Sequence, residues 1–375
     1  TILKYKLDEL SFNKESFNYF KSKLRSSLYS FFIGKKVKSF LKVDILFIYS
    51  PQYEINNFFY EGYKFQNLKT YFIEGSENLH FHYVGLRIWD WDVNRLVSPL
   101  KKKWHNIKTR TISLNQDFLV KKHIGELYNS KSFRVFSSKK RGKINFVNDF
   151  KVSDYKKTFL MCLSSSDEAF AAYSIGAFPE SKYKSNVFKN QLDWLEYTVD
   201  FFSKNIDFGL IIRIHPRETY KKNGEYKSSH FNKIAEKLNS NNLSNNIYVN
   251  YPDDKISIYD LFDVIDVTLV SWSLTAIESL LHSKPVIVYD NNLTNYPNEI
   301  VCTGNTIQDF KMNLEKSKDS KFMLDTNLKD LGSNWLKANF YFNNLFFNSK
   351  GVSLKLLLFS LRFSRKVNNQ LLYNL

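Results

Sequence analysis

The stretch DVTLVSWSLTAIESLLHSKPVIVYD, residues 266–290, carries the pattern that decides the fold. Val267 to Ser271 is a short apolar run rich in β-branched residues, which is typical of a buried strand. The following TAIESLLHS has helical spacing, and Lys284 to Asp290 is a second strand-like run that Pro285 opens. This order predicts two parallel strands joined by a helical crossover.

The same alternation begins at residue 157. Strand-like runs are KTFLMCLSSS (157–166), FGLIIRIHP (208–216) and NIYVNYP (246–252), and helix-like runs are NQLDWLEYTVDFFSK (190–204), FNKIAEKLN (231–239) and ISIYDLFDVI (256–265). The pattern predicts an α/β protein with a doubly wound parallel sheet. Ligands of such sheets bind outside the carboxyl ends of the strands, where the polar motifs of this sequence fall.

The first half of the chain has a weaker pattern. Apolar residues recur at helical steps from Phe17 to Phe31, within a leading helix that could pack on a lobe or lie on a membrane. Strand candidates are VDILFIYS (43–50), KTYFIEG (69–75), FHYVGLRIW (81–89), SFRVFSS (132–138) and KINFV (143–147). We assign this half to a first α/β lobe.

The length of 375 residues favours about two domains. We expect an acceptor-side lobe with its leading helix over residues 1–155 and a Rossmann-like, nucleotide-binding lobe over 156–330. A basic, aromatic and helical tail over 331–375 would cover the first lobe or bind a membrane surface. Each lobe is expected to contain a parallel sheet.

Composition narrows the class of protein. Apolar residues make up 43% of the chain and aromatic residues 17%, which excludes a disordered chain. The net charge of +17 indicates an anionic partner: nucleic acid, an anionic lipid surface or an anionic small molecule.

The cysteines and the apolar runs of the sequence allow predictions about the cellular location of the protein and about bound metal. Cys162 and Cys302 lie far apart, without metal-ligand spacing, which favours a reduced protein with no structural zinc. Neither a leader peptide nor an apolar run of about 18 residues is present, so we expect a cytoplasmic protein that does not span the membrane.

The motif RIHPRE, residues 213–218, directly follows a buried-strand run. Pro216 keeps the preceding His215 out of helical geometry, and Arg213, His215 and Arg217 could donate hydrogen bonds to phosphate oxygens. The structural alternative for His215 is a capped loop histidine.

Three hydroxyl side chains, Ser271, Ser273 and Thr275, lie between a strand end and a helix start. Unpaired N–H groups at that position favour a phosphate, whereas ordinary helix capping needs one hydroxyl. Glu278 follows on the same helical face as Thr275 and could reach the ribose hydroxyls of a nucleotide. Its alternative is a surface glutamate.

Candidate catalytic carboxylates lie in SSSDE, residues 164–168. Asp167, and less favourably Glu168, could be a base for an acceptor hydroxyl or a nucleophile, and the alternative is an acidic pair at a helix start. Asp90 and Asp92 are interpreted as loop carboxylates rather than a metal site.

The order SSSDE, NQLDWL, IIRIHPRE and LFDVIDVTLVSWSLTAIESLLHSKPVIV resembles the GT-B capsule and lipopolysaccharide glycosyltransferases that include the bacterial β-Kdo transferases. The HP and Ser/Thr motifs are shared with bacterial sialyltransferases. The resemblance covers about residues 158 to 290. It implies His215, Ser271, Ser273 and Thr275 on the donor phosphate, Glu278 on the ribose, and Asp167 as the catalytic acid residue, without a metal or cofactor. Alanine at position 169, where sialyltransferases have glycine, counts against a sialyl donor.

The expected function is therefore transfer of a sugar, Kdo from CMP-Kdo, to a glycan on a lipid carrier at the inner face of the bacterial membrane. Basic clusters at 35–38, 101–103, 139–143 and 362–366 would hold the enzyme near anionic lipid. Alternatives are a CDP-glycerol-type polyol-phosphate transferase, a CMP-sialic acid transferase, and a basic protein that binds nucleic acid without catalysis.

Overall fold

A five-stranded parallel sheet forms the centre of the second half of the chain. Its strands are β4 Lys157–Cys162, β5 Phe208–Arg213, β8 Ile247–Asn250, β9 Val267–Val270 and β10 Val286–Val288. They lie side by side in the order β10-β9-β4-β5-β8. The structure is a computed structural model that describes residues 2–5, 7, 9–41, 43–49, 53–64, 69–79, 85–90, 99–108, 114–129, 137, 150–174, 180–220, 226–240, 243–322, 325–341 and 344–346.

Helices surround this sheet. In this half they are α6 Ser166–Ser174, α7 Glu180–Tyr183, α8 Gln191–Ser203, α9 Ser229–Ser240, α10 Ile258–Val264, α11 Thr275–Leu281, α12 Ile307–Ser317 and α13 Thr326–Tyr341. A small hairpin pairs β6 Thr219–Tyr220 with β7 Tyr226–Lys227. Capping explains why the helices begin where they do: the side chain of Asn190 accepts from Leu192 N and Asp193 N at the start of α8.

The sheet is buried on both faces, which explains the continuous apolar runs of its strands. Alternate residues of β4 enter different cores: Leu160 and Cys162 face one, and Phe159 and Met161 face the other. The predicted parallel sheet and its helix-strand alternation are confirmed.

The order of the strands creates a switch point between β4 and β9. Numbered along the chain within this sheet, the strands run 3-2-1-4-5 in space, so the chain leaves β4 toward one edge and returns at β9 toward the other. Loops that follow these two strands diverge and leave a crevice at their carboxyl ends.

The first sheet corrects the expectation of a parallel sheet in each lobe. It contains β1 Ile45–Tyr49, β2 Lys69–Gly75, β3 Gly85–Asp90 and β11 Asn344–Phe346 in the order β1-β2-β3-β11. The β1–β2 pair is parallel, but β2–β3 and β3–β11 are antiparallel. Nine residues, 76–84, separate β2 from β3, and a parallel crossover needs a dozen or more.

Three of the first-half strand candidates correspond to β1, β2 and β3, and residues 81–84 of the third candidate lie outside the described residues. The candidates at 132–138, apart from Ser137, and 143–147 lie outside the described residues. Of the basic clusters, 139–143 and 362–366 also lie outside them. The helices of this half are α1 Ile2–Tyr5, α2 Lys14–Phe40, α3 Glu54–Tyr63, α4 Pro99–Ile107 and α5 Leu114–Asn129.

The tail returns to the first lobe. Helix α13 packs against α4, α5 and α11, and β11 pairs with β3. The ring of Trp104 on α4 meets that of Trp335 on α13 edge to face at 5.6 Å. Residues 347–375, with the predicted apolar face of 354–361, lie outside the described part of the chain. Within the described part, no helix combines the length and apolar character needed to cross a membrane.

Helices α2 and α3 approach each other through two glycines. A Cβ on Gly34 would overlap the carbonyl oxygen of Phe59, and a Cβ on Gly62 would overlap the carbonyl oxygen of Phe31. The two backbones therefore lie in direct contact, which any side chain at these positions would separate.

We expect Gly34→Ala and Gly62→Ala to lower the free energy of unfolding by about 1–3 kcal/mol each, because each methyl group forces the helices apart. Gly125→Ala is the matched control: Gly125 lies within α5 and its added Cβ meets nothing within 4 Å. That change should stabilise the protein by up to about 1 kcal/mol through helix propensity. Urea unfolding followed by circular dichroism measures the three effects, and equal results at all three positions would contradict the close approach.

Candidate functional site

A cavity of about 630 Å³ lies at the carboxyl end of the parallel sheet, at the switch point between β4 and β9. Residues from both halves of the chain line it, including Glu77 and His123 from the first half and Arg213, His215 and Glu278 from the second. The sheet therefore brings together the three sequence motifs that lie far apart along the chain.

A hydroxyl pair joins the two sides of the switch point. Ser164, after β4, and Ser271, after β9, are both buried, and their Oγ atoms lie 2.9 Å apart. Gln191 holds the backbone of Ser164 by accepting from its N at 2.7 Å and donating to its O at 2.9 Å. Ser164 reaches the cavity wall, whereas Ser271 is not among its lining residues. The predicted phosphate ligand Ser271 thus bonds the loop that carries the site.

Arg213 is the buried cation of the site. It ends β5, and its Nη1 donates to Asn250 Oδ1 at 2.5 Å and to the carbonyl of Ile256 at 3.1 Å. Both acceptors are neutral, and no carboxylate of the described residues lies within ion-pair distance of this guanidinium. Burial lowers its pKa, but a guanidinium keeps its charge in proteins.

The thiol next to Arg213 does not neutralise it. Burial raises the pKa of Cys162 to about 12, although the nearby guanidinium acts in the opposite direction. Cys162 is therefore a neutral thiol, and both cysteines of the chain are free. Asp254 is the carboxylate whose charge acts on Arg213, and it accepts from Asn250 Nδ2 at 3.0 Å rather than pairing with the guanidinium. A buried guanidinium at a cavity wall favours an anion beside it.

His215 presents one ring nitrogen to the backbone. Its Nδ1 accepts from Arg217 N at 3.2 Å, at the start of the short 3-10 turn 216–218. Because Nδ1 is an acceptor, a ring proton lies on Nε2. His215 and Pro216 both line the cavity.

Ser273 and Thr275 make different hydrogen bonds at the start of α11. Ser273 Oγ accepts from Thr275 N at 3.2 Å and donates to Thr275 Oγ1 at 2.9 Å, so Ser273 bonds the first residue of α11. The hydroxyl proton of Thr275 has no acceptor among the described residues, and both side chains line the cavity. Thr275 is thus a hydrogen-bond donor at the wall.

Glu278 lies on the cavity wall, one turn after Thr275. Its Oε2 accepts from the hydroxyl of Tyr259 at 3.0 Å. Burial raises the pKa of this carboxyl from 4.5 to about 7, and the Tyr259 hydrogen bond offsets only part of that rise. The side chain is half-buried because its remaining exposure is to the cavity. The alternative of an ordinary surface glutamate is excluded.

The two carboxylates of SSSDE occupy different positions. Asp167 is buried, accepts from Ser165 Oγ, and pairs with Arg217 Nη2 at 3.1 Å. Glu168 pairs with Arg217 Nη1 and lines the cavity, which Asp167 does not. Arg217, predicted as a phosphate ligand, therefore binds both carboxylates at the start of α6.

The sequence interpretation missed the first-half side of the cavity. His123, in α5, accepts from Leu79 N through Nδ1 at 3.2 Å, and burial lowers its pKa to about 4, so it is neutral. Glu77 pairs with Arg87 at 2.7 Å. Asn339 of α13 also reaches the wall. These residues lie in separate segments without a shared spacing, so only the fold brings them together.

The last two residues that the sequence singles out are Asp90 and Asp92, which we interpret as loop carboxylates rather than metal ligands. Asp92 lies outside the described residues, and for Asp90 only the backbone is described, at the end of β3. No cluster of three or more His, Cys, Asp or Glu suited to a metal is found in the part of the chain that the structure describes.

Comparisons with known proteins follow the fold. No family model matches the chain, and no curated protein matches its sequence. Among solved structures, the beta Kdo 2,4 transferase KpsC of Thermosulfurimonas dismutans is 11% identical, with a TM-score of 0.44 over 78% of this chain and 79% of that one. S. aureus MnaA, solved with UDP, is 13% identical, with a TM-score of 0.36 over 84% and 76%. A trehalose-6-phosphate synthase is 11% identical, with a TM-score of 0.36 over 91% and 79%.

The pKa of Glu278 predicts a pH-dependent stability. The folded protein keeps this proton up to about pH 7, whereas the unfolded chain loses it near 4.5, so stability falls as the pH rises through that window. Glu278→Gln removes the penalty. We expect it to raise the free energy of unfolding by up to about 3 kcal/mol at about pH 8 relative to its effect at about pH 4.

Urea unfolding at both pH values measures this difference. Glu236→Gln, on the exposed side of α9, is the control for loss of one carboxylate. The same stability change for Glu278→Gln at both pH values would contradict a raised pKa.

Proposed function

We propose that this chain is a glycosyltransferase of bacterial surface polysaccharide synthesis that transfers Kdo from CMP-Kdo to a glycan on a lipid carrier. The observation that carries the proposal is Arg213, a buried guanidinium at the carboxyl end of the parallel sheet with neutral partners and a cavity beside it. The choice of CMP-Kdo follows the resemblance of residues 158–290 to the β-Kdo transferases. Its acid sugar and phosphodiester would supply negative charge next to Arg213.

The donor phosphate would lie against Arg213, the ring of His215 and the hydroxyl of Thr275. Arg213 ends β5, His215 follows it, Thr275 opens the helix that follows β9, and all three line one cavity. As the bond from the anomeric carbon to the phosphate oxygen breaks, negative charge grows on the departing CMP, and fixed donors stabilise that charge. Helix α11 has seven residues, so the assignment rests on these side chains rather than on a helix dipole.

Glu278 would hold the ribose of the donor. It lies one helical turn beyond Thr275, and Tyr259 fixes its Oε2. Either protonation state accepts a hydrogen bond from a ribose hydroxyl through a carboxyl oxygen. A nucleotide that brings such a hydroxyl into the cavity supplies a polar partner to a carboxyl that otherwise has a largely apolar environment.

Glu168 would act on the acceptor. It reaches the cavity, and it pairs with Arg217 beside the buried Asp167. In a direct displacement Glu168 takes the proton of the acceptor hydroxyl while that oxygen bonds to the anomeric carbon and CMP leaves with the electron pair. In a double displacement the same carboxylate is the nucleophile. The anomeric configuration of the product distinguishes the two courses.

The acceptor would enter from the first-half side, where His123, Glu77 and Asn339 line the wall. His123 is neutral and has Nδ1 occupied by Leu79 N, so its Nε2–H is the donor that it can offer to a sugar hydroxyl. A lipid-linked acceptor is consistent with the net charge of +17, which favours an anionic membrane surface.

Calorimetry with CMP, CDP, UDP and GDP tests the donor. We expect wild type to bind CMP selectively, and His215→Ala and Thr275→Val each to weaken binding by about tenfold, since each loses one hydrogen bond to phosphate. His105→Ala, on the exposed side of α4, is the control for a histidine outside the site. Selective UDP or GDP binding would contradict the CMP donor, and absence of any nucleotide binding would overturn the enzyme proposal.

Product formation from CMP-Kdo tests the carboxylate assignment. We expect Glu168→Gln to lower kcat by at least about a hundredfold with CMP affinity retained, because the group that handles the acceptor proton is gone. Asp167→Asn, which keeps the shape next to Arg217, should retain more activity than Glu168→Gln. The reverse order would make Asp167 the catalytic carboxylate.

A further inference from the structure

Helix α2 buries small residues and exposes large apolar ones, which is the reverse of an ordinary surface helix. Four of its 27 residues are buried, and these are Ser16, Ser27, Ser30 and Gly34. Its large apolar side chains face outward instead: Tyr29 is 72% exposed, Phe32 55%, Ile33 59% and Phe40 76%. A soluble helix normally buries its large apolar residues and exposes its small polar ones.

The inversion follows from the contact with α3. Gly34 and Gly62 bring the two backbones together, and Ser30 Oγ donates to the carbonyl of Ile55 at 2.8 Å. Small residues at a close helix contact, with large apolar residues on the opposite side, are the arrangement of helices that pack in a lipid environment.

The exposed apolar residues form one stripe. Arg25, Tyr29, Phe32, Ile33, Lys36 and Phe40 follow each other at steps of three, four and one residues, so they share one side of the helix. All six are exposed. We call them the outer stripe. It places apolar side chains in the middle and a cation near each end.

The charge of α2 identifies the partner. The helix contains seven Lys or Arg residues and one Glu. Two copies that met through the outer stripe would bring like charges together, which disfavours a dimer on this face. A nucleic acid would suit the cations but not four apolar side chains. An anionic lipid surface suits both, because the apolar groups enter the acyl boundary while long basic side chains reach the headgroups.

We propose that the outer stripe of α2 docks this protein onto the surface of a membrane that contains anionic lipids. The helix lies in the plane of the membrane and does not cross it. This surface is independent of the donor assigned above. Its benefit for a lipid-linked acceptor rests on the proposed function.

Co-sedimentation of the full chain with lipid vesicles tests the proposal. We expect binding to vesicles of phosphatidylcholine mixed with phosphatidylglycerol, weakened by salt, and little binding to phosphatidylcholine alone. Tyr29→Ser, Phe32→Ser and Ile33→Ser together should lower the partition coefficient by at least about tenfold. The matched control removes three exposed apolar side chains elsewhere, by Ile206→Ser, Ile307→Ser and Met312→Ser, and should leave binding unchanged.

A second pair of variants tests the charge. Arg25→Gln with Lys36→Gln should lower binding to the anionic vesicles by about tenfold, since each cation near such a surface contributes about 1 kcal/mol. Lys311→Gln with Lys321→Gln removes two exposed cations from the other half and should have no effect. Circular dichroism of each variant checks that the fold is retained.

Three outcomes would overturn the proposal: no binding of wild type to anionic vesicles, equal loss in the stripe and control variants, or a dimer in sedimentation that the stripe variant disperses. The last would make a second copy the partner. CMP calorimetry on the same variants separates the two proposals, since vesicle binding without nucleotide binding would leave the docking surface and remove the donor assignment.

Discussion

The register of three parallel strands sets the position of every side chain that could donate a hydrogen bond to a ligand in the cavity. Cys162 of β4 pairs with Arg213 of β5 on one side and with Val270 of β9 on the other, so the three strands end at the same level. Their loops then start from one edge, where the Ser164–Ser271 bond ties two of them together. A slip in this register would separate Arg213 from the hydroxyls before α11 and divide the cavity.

The carboxyl groups of this site have different neighbours. Burial raises the pKa of Glu278, and Tyr259 donates a hydrogen bond to it. Asp167 and Glu168 instead pair with one guanidinium, that of Arg217. One edge of the sheet thus carries a buried carboxyl without a cationic partner among the described residues on one side and two ion-paired carboxylates on the other.

Much of the second half could be predicted from sequence because its strands are buried on both faces and its helices have clear apolar spacing. The position of Arg213, His215, Thr275 and Glu278 at the carboxyl edge of the sheet could be predicted for the same reason, since each follows a recognisable strand. The separate tasks of Ser271 and Ser273 could not be predicted, since hydroxyls that face a cavity and hydroxyls that bond a neighbouring loop have the same sequence pattern.

The first half was less predictable because long-range contacts determine it. His123 joins the cavity through Leu79, which is 44 positions away. In α2 the spacing of apolar residues correctly predicts a helix, but the spacing does not show whether the apolar side faces the protein or the solvent. That direction depends on Gly62, a residue of another helix.

The pairing of β11 with β3 has a consequence for how the molecule forms during synthesis. The edge of the first sheet is completed by residues 344–346, about 250 positions after the strand that they join. During synthesis the N-terminal part of the chain leaves the ribosome first, so β3 emerges long before its partner strand exists. The strands of the parallel sheet, in contrast, all lie within residues 157–288 and emerge close together. The parallel sheet can therefore assemble first, and the first sheet is completed last. Until then the edge of β3 has no partner strand, and an unpaired strand edge can pair with another chain.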